Sequence, residues 1–315
     1  MNVLMTAPRL APQAVALLEA AGARIHYMDP FPGAPAVAAR AGAIDAAAIL
    51  SRQGPVGAPA MDAAPSLRII ARHGVGVDDV DVAEAARRGI LVTRSPGSNT
   101  QAVAEHTLAL ILALAKDLPR LSAGVAAGRW RGADTTVRDI HGLCLGLVGC
   151  GGIGQAVARL AGAFGMDVSA YTPSGRDLPG IRRAPDLPTL LASSDVLSLH
   201  LPLLPTTRGL IGPAELALLP RGAILVNTSR GGLVDEAALL AALDSGHLSG
   251  AGLDVTAPEP PAPDDPLRRH PGVILTPHVA GVTADSMVAM GVMAAECIAA
   301  VLQGRPVPPD RIVHP

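Results

Sequence analysis

Residues 143–164 read LCLGLVGCGGIGQAVARLAGAF. The first six form an apolar run suited to a strand buried on both faces, and the glycines at 149, 151 and 154 follow in the spacing GxGxxG. Beyond them Ile153, Val157, Leu160 and Phe164 recur at helical spacing and mark one face of a helix. Strand, glycine turn and helix in that order make a cradle for a dinucleotide pyrophosphate. Gly149 permits the tight turn, Gly151 lets the ligand approach the backbone, and Gly154 lets the helix pack close to the strand. Gly152 and Ile153 open the helix, whose N–H groups and dipole attract an anion. An acidic residue is expected about 20 residues further on to hold a ribose hydroxyl. Here the second strand, 166–171, is followed by Thr172, Pro173, Ser174, Gly175 and Arg176. Hydroxyls and a guanidinium suit a 2′-phosphate, so Thr172, Ser174 and Arg176 predict NADP as the favoured cofactor, with NAD as the alternative.

Outward from this unit the same rhythm repeats. Apolar runs at 2–6, 24–28, 47–50, 68–71 and 90–92 read as strands, as do 195–199, 223–227, 250–255 and 273–276. Helical patterns lie between many of them, at 12–21, 80–88 and 236–244. Alternating strands and helices predict an α/β protein with doubly wound parallel sheets. Two longer helical stretches, 101–116 and about 284–302, adjoin Pro/Gly-rich passages and read as crossings between two domains. The predicted division is 1–97 plus 282–315 for one domain and 98–281 for a second, inserted one. The proline-rich stretch 258–266 reads as a loop.

Composition narrows the function. A chain of 315 residues exceeds one domain of about 100–200 residues. Hydrophobic residues at 49% and charged residues at 17% support a packed core and argue against disorder. A net charge of -2 and a pI near 6.5 show no basic footprint for nucleic acid. Three separate cysteines and no CxxC pair argue against a disulfide framework or a zinc site, and no metal is expected. The apolar run 108–115 is too short to span a bilayer, and no charged segment leads into a long apolar one at the start. The expectation is a cytoplasmic protein with no membrane partner.

Three polar residues stand just beyond apolar strands: Arg230 after ILVNTS, Glu259 in DVTAPEP and His278 after VILTP. Open α/β sheets bind ligands at the carboxyl ends of their strands, so a cation, a carboxylate and an imidazole there make a candidate site. Reduction of a 2-keto acid needs such a set. Arg230 offers a fork for the carboxylate, His278 an acid titrating near working pH, and Glu259 a partner that favours the imidazolium. Arg52, at the end of a first-domain strand, is placed to bind a second anionic group such as phosphate or sulfonate. His73, His106 and His200 read as packing or cofactor-side residues.

The segments GLVGCGGIGQAVA, LHLPLLPTTRGLI, ILVNTSRGGLVDEAAL, GLDVTAPEPP and TPHVAGVT occur in this order, after ARHGVGVDDVDV and SNTQAVAEHTLALILA. Together they resemble the D-isomer-specific 2-hydroxyacid dehydrogenases over nearly the whole chain. The resemblance implies a Rossmann cofactor domain inserted in a flavodoxin-like substrate domain, and a homodimer. It makes Arg230, Glu259 and His278 the catalytic trio and places the Val75, Gly76 and Val77 backbone against the substrate carboxylate. Asp254 would contact the nicotinamide carboxamide, with Thr228, His200 and Pro202 lining the cofactor. Thr172 stands where the family carries its ribose-binding Asp, a departure that questions the usual NAD preference. The implied activity is glyoxylate/hydroxypyruvate reduction by NAD(P)H. The alternatives are a dehydrogenase of phosphorylated or sulfonated 2-hydroxy acids, or a non-catalytic dinucleotide-sensing protein of the same fold.

Overall fold

The computed structural model describes residues 1–133, 135–173, 178 and 180–314. Backbone packing divides the chain into two compact units, Met1–Asn99 with Val282–Pro315, and Thr100–Gly281.

In the first unit β1 (Asn2–Met5), α1 (Pro12–Ala20), β2 (Arg24–Tyr27), α2 (Ala34–Ala43), β3 (Ala48–Ser51), α3 (Ala58–Ala63), β4 (Ile69–Arg72), α4 (Val82–Arg87) and β5 (Leu91–Thr93) alternate strictly. The strands form a parallel sheet in the order β2-β1-β3-β4-β5. This is the flavodoxin-like arrangement, and its order reverses between β1 and β3. Strands covered on both faces need no polar alternation, and Val3, Leu4, Ile49, Leu50, Ile69 and Ile70 have no exposed surface. One face carries Leu18, Ala294 and Ile298; the other carries Val37, Met61 and Ala85. The C-terminal helix, Ala284–Leu302, is long and apolar enough to cross a membrane, but 56% of its apolar stretch is buried, and it packs on α1 and β4. Its apolar surface is thus that of a core helix.

The second unit begins with α5 (Thr100–Ala115) and α6 (Leu118–Ala126). There follow β6 (Cys144–Val148), α7 (Gly152–Ala163), β7 (Asp167–Tyr171), β8 (Arg182–Arg183), α8 (Leu187–Ala192), β9 (Val196–Leu199), α9 (Pro213–Leu218), β10 (Ala223–Asn227), α10 (Glu236–Asp244), β11 (Leu248–Leu253) and β12 (Val273–Leu275). All seven strands are parallel in the order β12-β11-β10-β9-β6-β7-β8. This is the Rossmann arrangement with one strand added, and it reverses between β6 and β9. The sheet separates two apolar layers, one around Leu190, Leu197, Leu225 and Leu239, the other around Leu108, Ile111, Val157 and Ile224. Helix α5 lies unusually close to β11. A Cβ on Gly250 or Gly252 would come within 2.9 Å of Leu114 or Leu110, so these glycines admit the helix.

Candidate active site

Arg230, Glu259 and His278 follow the carboxyl ends of the neighbouring strands β10, β11 and β12. Beyond β10, the Asn227 side-chain amide donates to the Arg230 carbonyl at 2.8 Å, and its oxygen accepts the Ser229 N–H at 3.0 Å. This local closure turns the chain sharply and fixes where Arg230 leaves it. A Cβ at Gly231 would collide with the Thr256 carbonyl, so glycine lets the Arg230 turn rest on the loop that carries Glu259. That loop is tied down as well. Thr256 donates its N–H to Glu259 Oε1 at 3.3 Å and its hydroxyl to the Pro258 carbonyl at 2.8 Å, while Ala257 donates its N–H to Glu236 Oε1 at 2.8 Å.

Glu259 Oε2 lies 2.7 Å from His278 Nδ1. An ionised carboxylate only accepts, so Nδ1 carries the proton of this bond and Nε2 is the nitrogen left for chemistry. The Glu259 hydrogen bond raises the His278 pKa above the ordinary imidazole value. Burial and the Arg230 charge oppose that rise, and the Glu259 and Asp254 charges add to it. His278 itself has φ of 53°, a left-handed conformation that a side chain adopts only when its surroundings impose it. Those surroundings centre on Asp254. Its carbonyl accepts the His278 N–H at 2.8 Å, and its side chain accepts the Val279 N–H at 2.9 Å, the Ala280 N–H at 2.8 Å and the Thr276 hydroxyl at 2.6 Å. His106 Nε2, on α5, lies 3.0 Å from Thr276 Oγ1. Thr276 carried no signal in the sequence reading, and His106 was read only as a packing or cofactor-side residue. The Asp254 carboxylate is 1% exposed and holds the His278 loop, a task the resemblance did not suggest.

The glycine loop stands at the reversal point of the second sheet. Gly149 has φ of 87°, and a Cβ there would collide with the His200 carbonyl. A Cβ on Gly154 would come within 2.6 Å of the Gly149 carbonyl, whereas one on Gly151 would meet nothing within 4 Å. Gly149 and Gly154 are thus required by packing, and Gly151 opens onto space at the start of α7. Among the described residues, Thr172 Oγ1 beyond β7 and His200 Nδ1 beyond β9 are buried without hydrogen-bond partners. Burial holds the His200 pKa down to about 4, so the ring is neutral at pH 7, and its Nε2 lies 2.9 Å from the Ser198 hydroxyl. An open backbone cradle flanked by two unused polar atoms fits a dinucleotide. Ile153 packs its side chain against the core, Thr228 pairs its hydroxyl with that of Thr107 at 3.0 Å, and the Pro202 carbonyl accepts from Thr207 at 2.8 Å. Ser174 and Arg176 lie outside the described residues.

The remaining expected residues belong to the first unit. Val75, Gly76 and Val77 follow β4, and their N–H groups make no hydrogen bond among the described residues. Arg72 pins the loop by donating to the Gly76 carbonyl at 2.9 Å while pairing with Asp79 at 3.0 Å. Arg52 sits at the reversal point of the first sheet, where its N–H donates to the Thr6 hydroxyl at 2.9 Å. Burial, then the Arg9 and Arg72 charges, hold the Arg52 pKa below its ordinary value. Its guanidinium has no partner among the described residues. Beside it His73 is 5% exposed, and both its ring nitrogens lack partners there.

The fold and this constellation define a class. Residues 108–280 match the D-isomer specific 2-hydroxyacid dehydrogenase, NAD binding domain, and the chain belongs to that family. The D-3-phosphoglycerate dehydrogenase of Mycobacterium tuberculosis is 41% identical over 311 residues, 97% of this chain and 58% of the relative. The chain spans about half the length of the curated phosphoglycerate dehydrogenases it matches. A protein of Thermus thermophilus, known from its crystal structure, is 40% identical, with a TM-score of 0.92 over 100% of both chains. The NADPH-dependent glyoxylate/hydroxypyruvate reductase of Sinorhizobium meliloti, solved with NADP and malonate, is 32% identical. Its TM-score is 0.86, over 99% of this chain and 96% of that one. The cofactor of the second unit is a nicotinamide dinucleotide.

Proposed function

We propose that the chain is a 2-keto acid reductase that interconverts small 2-keto acids, glyoxylate and hydroxypyruvate foremost, with D-2-hydroxy acids. The observation that carries this reading is the 2.7 Å Glu259–His278 pair at the strand ends that also present Arg230. The bound nicotinamide supplies the hydride. Arg230 grips the substrate carboxylate in a two-pronged fork. The resemblance assigns a substrate carboxylate to the N–H groups of Val75, Gly76 and Val77 of the first unit. His278, protonated, donates from Nε2 to the carbonyl oxygen as negative charge develops there. Glu259 keeps the imidazolium charged and aimed; in the oxidation direction neutral His278 accepts the proton. The resemblance that assigned Asp254 to the nicotinamide carboxamide is kept as part of this reading. NADPH is the favoured cofactor because Thr172 replaces the acid that would repel a 2′-phosphate. Turnover of glyoxylate, hydroxypyruvate and longer 2-keto acids with NADPH and with NADH tests the reading; no turnover of any of them contradicts it.

A second reading of the substrate rests on Arg52. A half-buried guanidinium without a partner among the described residues, flanked by Arg9 and Arg72, is costly unless an anion joins it. It favours substrates that carry phosphate, sulfonate or a second carboxylate. A preference for such acids over glyoxylate that disappears in Arg52→Met supports it. We also place the protein in the cytoplasm, where its three free cysteines stay reduced. A homodimer is proposed from the exposed Leu118, Val125, Trp130 and Val137 on α6 and the segment after it. Sedimentation of the purified protein checks that state.

A further inference from the structure

We infer that Thr276 and His106 are positioning residues for His278, acting through a hydrogen-bonded chain that ends on the buried Asp254 carboxylate. The inference rests on the reading of His278 as the acid–base group. The direction of the chain follows from donor chemistry. A carboxylate only accepts, so the Thr276 hydroxyl proton points to Asp254 Oδ1 at 2.6 Å. The Thr276 oxygen is left as an acceptor, and the hydrogen at the 3.0 Å contact with His106 therefore sits on His106 Nε2. The chain runs His106 to Thr276 to Asp254.

Its consequence lies at the other end. A carboxylate that is 1% exposed is stable only when its oxygens are occupied, and here Thr276, Val279 and Ala280 occupy them. The peptide from Thr276 to Ala280 is thereby wrapped around one charge, with His278 at its middle in a left-handed conformation. Holding that conformation keeps Nδ1 at 2.7 Å from Glu259. Among the described residues three charged groups face the His278 ring: Glu259 from the loop beyond β11, Arg230 from the turn beyond β10, and Asp254 from the end of β11. His106 faces the far side of Asp254 from α5, 3.7 Å from Oδ1. Helix α5 can deliver it because Gly250 and Gly252 let the helix approach the sheet. Loosening the chain should therefore tilt His278 while leaving the glycine-loop cradle of the pyrophosphate in place.

The test compares Thr276→Val, Thr276→Ser, His106→Leu and His106→Gln. We expect Thr276→Val and His106→Leu to lower kcat by about tenfold or more, the scale of a small misplacement at a reacting group. KM for the keto acid should stay within about twofold, and any change in Kd for the dinucleotide, through the carboxamide contact proposed for Asp254, should be smaller than the loss in kcat. Thr276→Ser and His106→Gln, which keep the hydrogen bonds, should restore most of the rate. In parallel, NMR titration of labelled histidines, with His278 assigned from His278→Ala, should show the His278 pKa falling in Thr276→Val and returning in Thr276→Ser. Unchanged kcat and unchanged His278 titration in folded Thr276→Val and His106→Leu overturn the inference. So does a loss confined to dinucleotide affinity. If the wild-type protein turns over no keto acid, the functional reading fails, and the NMR titration still decides whether the chain positions His278. If Thr276→Val does not fold, His106→Leu decides.

Discussion

Glu259 Oε2 and His278 Nδ1 are 2.7 Å apart, and the pair is held from two separate loops. The carboxylate raises the imidazole pKa, so His278 keeps its proton to a higher pH than a free histidine does. Keto-acid reduction consumes that proton. Its rate should hold up as pH rises until the raised pKa is passed, whereas hydroxy-acid oxidation should grow above that point. Glu259→Gln keeps the shape and removes the charge. The descending limb of kcat/KM for reduction should then move to lower pH. A profile that does not move would show that Glu259 does not control His278.

Arg230→Lys preserves a positive charge and loses the fork. Charge-assisted hydrogen bonds are worth about 1.5–3 kcal/mol, so kcat/KM for keto acids should fall by about tenfold or more. Dinucleotide affinity, measured by fluorescence titration, should barely change. Equal losses in both would place Arg230 against the cofactor instead.

Gly231→Ala tests the seat of the Arg230 turn. The added methyl collides with the Thr256 carbonyl, which is backbone and cannot rotate away. Overpacking of this kind costs about 1–3 kcal/mol. We expect a lower Tm together with a lower kcat, since both the Arg230 turn and the Glu259 loop must shift. Full activity at an unchanged Tm would mean that the two loops are not coupled.

On the proposed reading Thr172 favours NADPH. With no acid at the end of β7, kcat/KM should favour NADPH over NADH by about ten- to a hundredfold, since one charge-assisted hydrogen bond is worth about 1.5–3 kcal/mol and 1.4 kcal/mol is a decade. Thr172→Asp should move the ratio toward NADH by charge repulsion at the 2′-phosphate. A wild-type preference for NADH, in steady-state kinetics with both cofactors, contradicts this account of Thr172.

The sheets were legible because their strands are buried on both faces. Runs such as Ala48–Ser51 and Ala223–Asn227 are covered throughout and read as unbroken apolar stretches. Strand β8 escaped notice because its two residues, Arg182 and Arg183, are exposed and carry no apolar signal. Helices α8 and α9 are six residues each, too short for periodicity to speak. The strand expected over 250–255 spans Leu248–Leu253 instead, ending where Asp254 turns to gather the His278 loop. At the site, Arg230, Glu259 and His278 were visible as polar residues closing apolar runs. The partnership of Thr276 with His106 was not, because 170 residues separate them and the packing of α5 on the sheet at β10 and β11 joins them. No periodicity reports a contact of that range.

The most direct measurement is the product formed from hydroxypyruvate and NADPH, resolved by chiral chromatography, for the wild-type protein and for His278→Ala. Glycerate of the D configuration is expected from the wild type, formed about 10²–10⁴-fold more slowly once the general acid is removed. Glycerate of the opposite configuration, no product from the wild type, or an undiminished rate in His278→Ala would contradict this expectation.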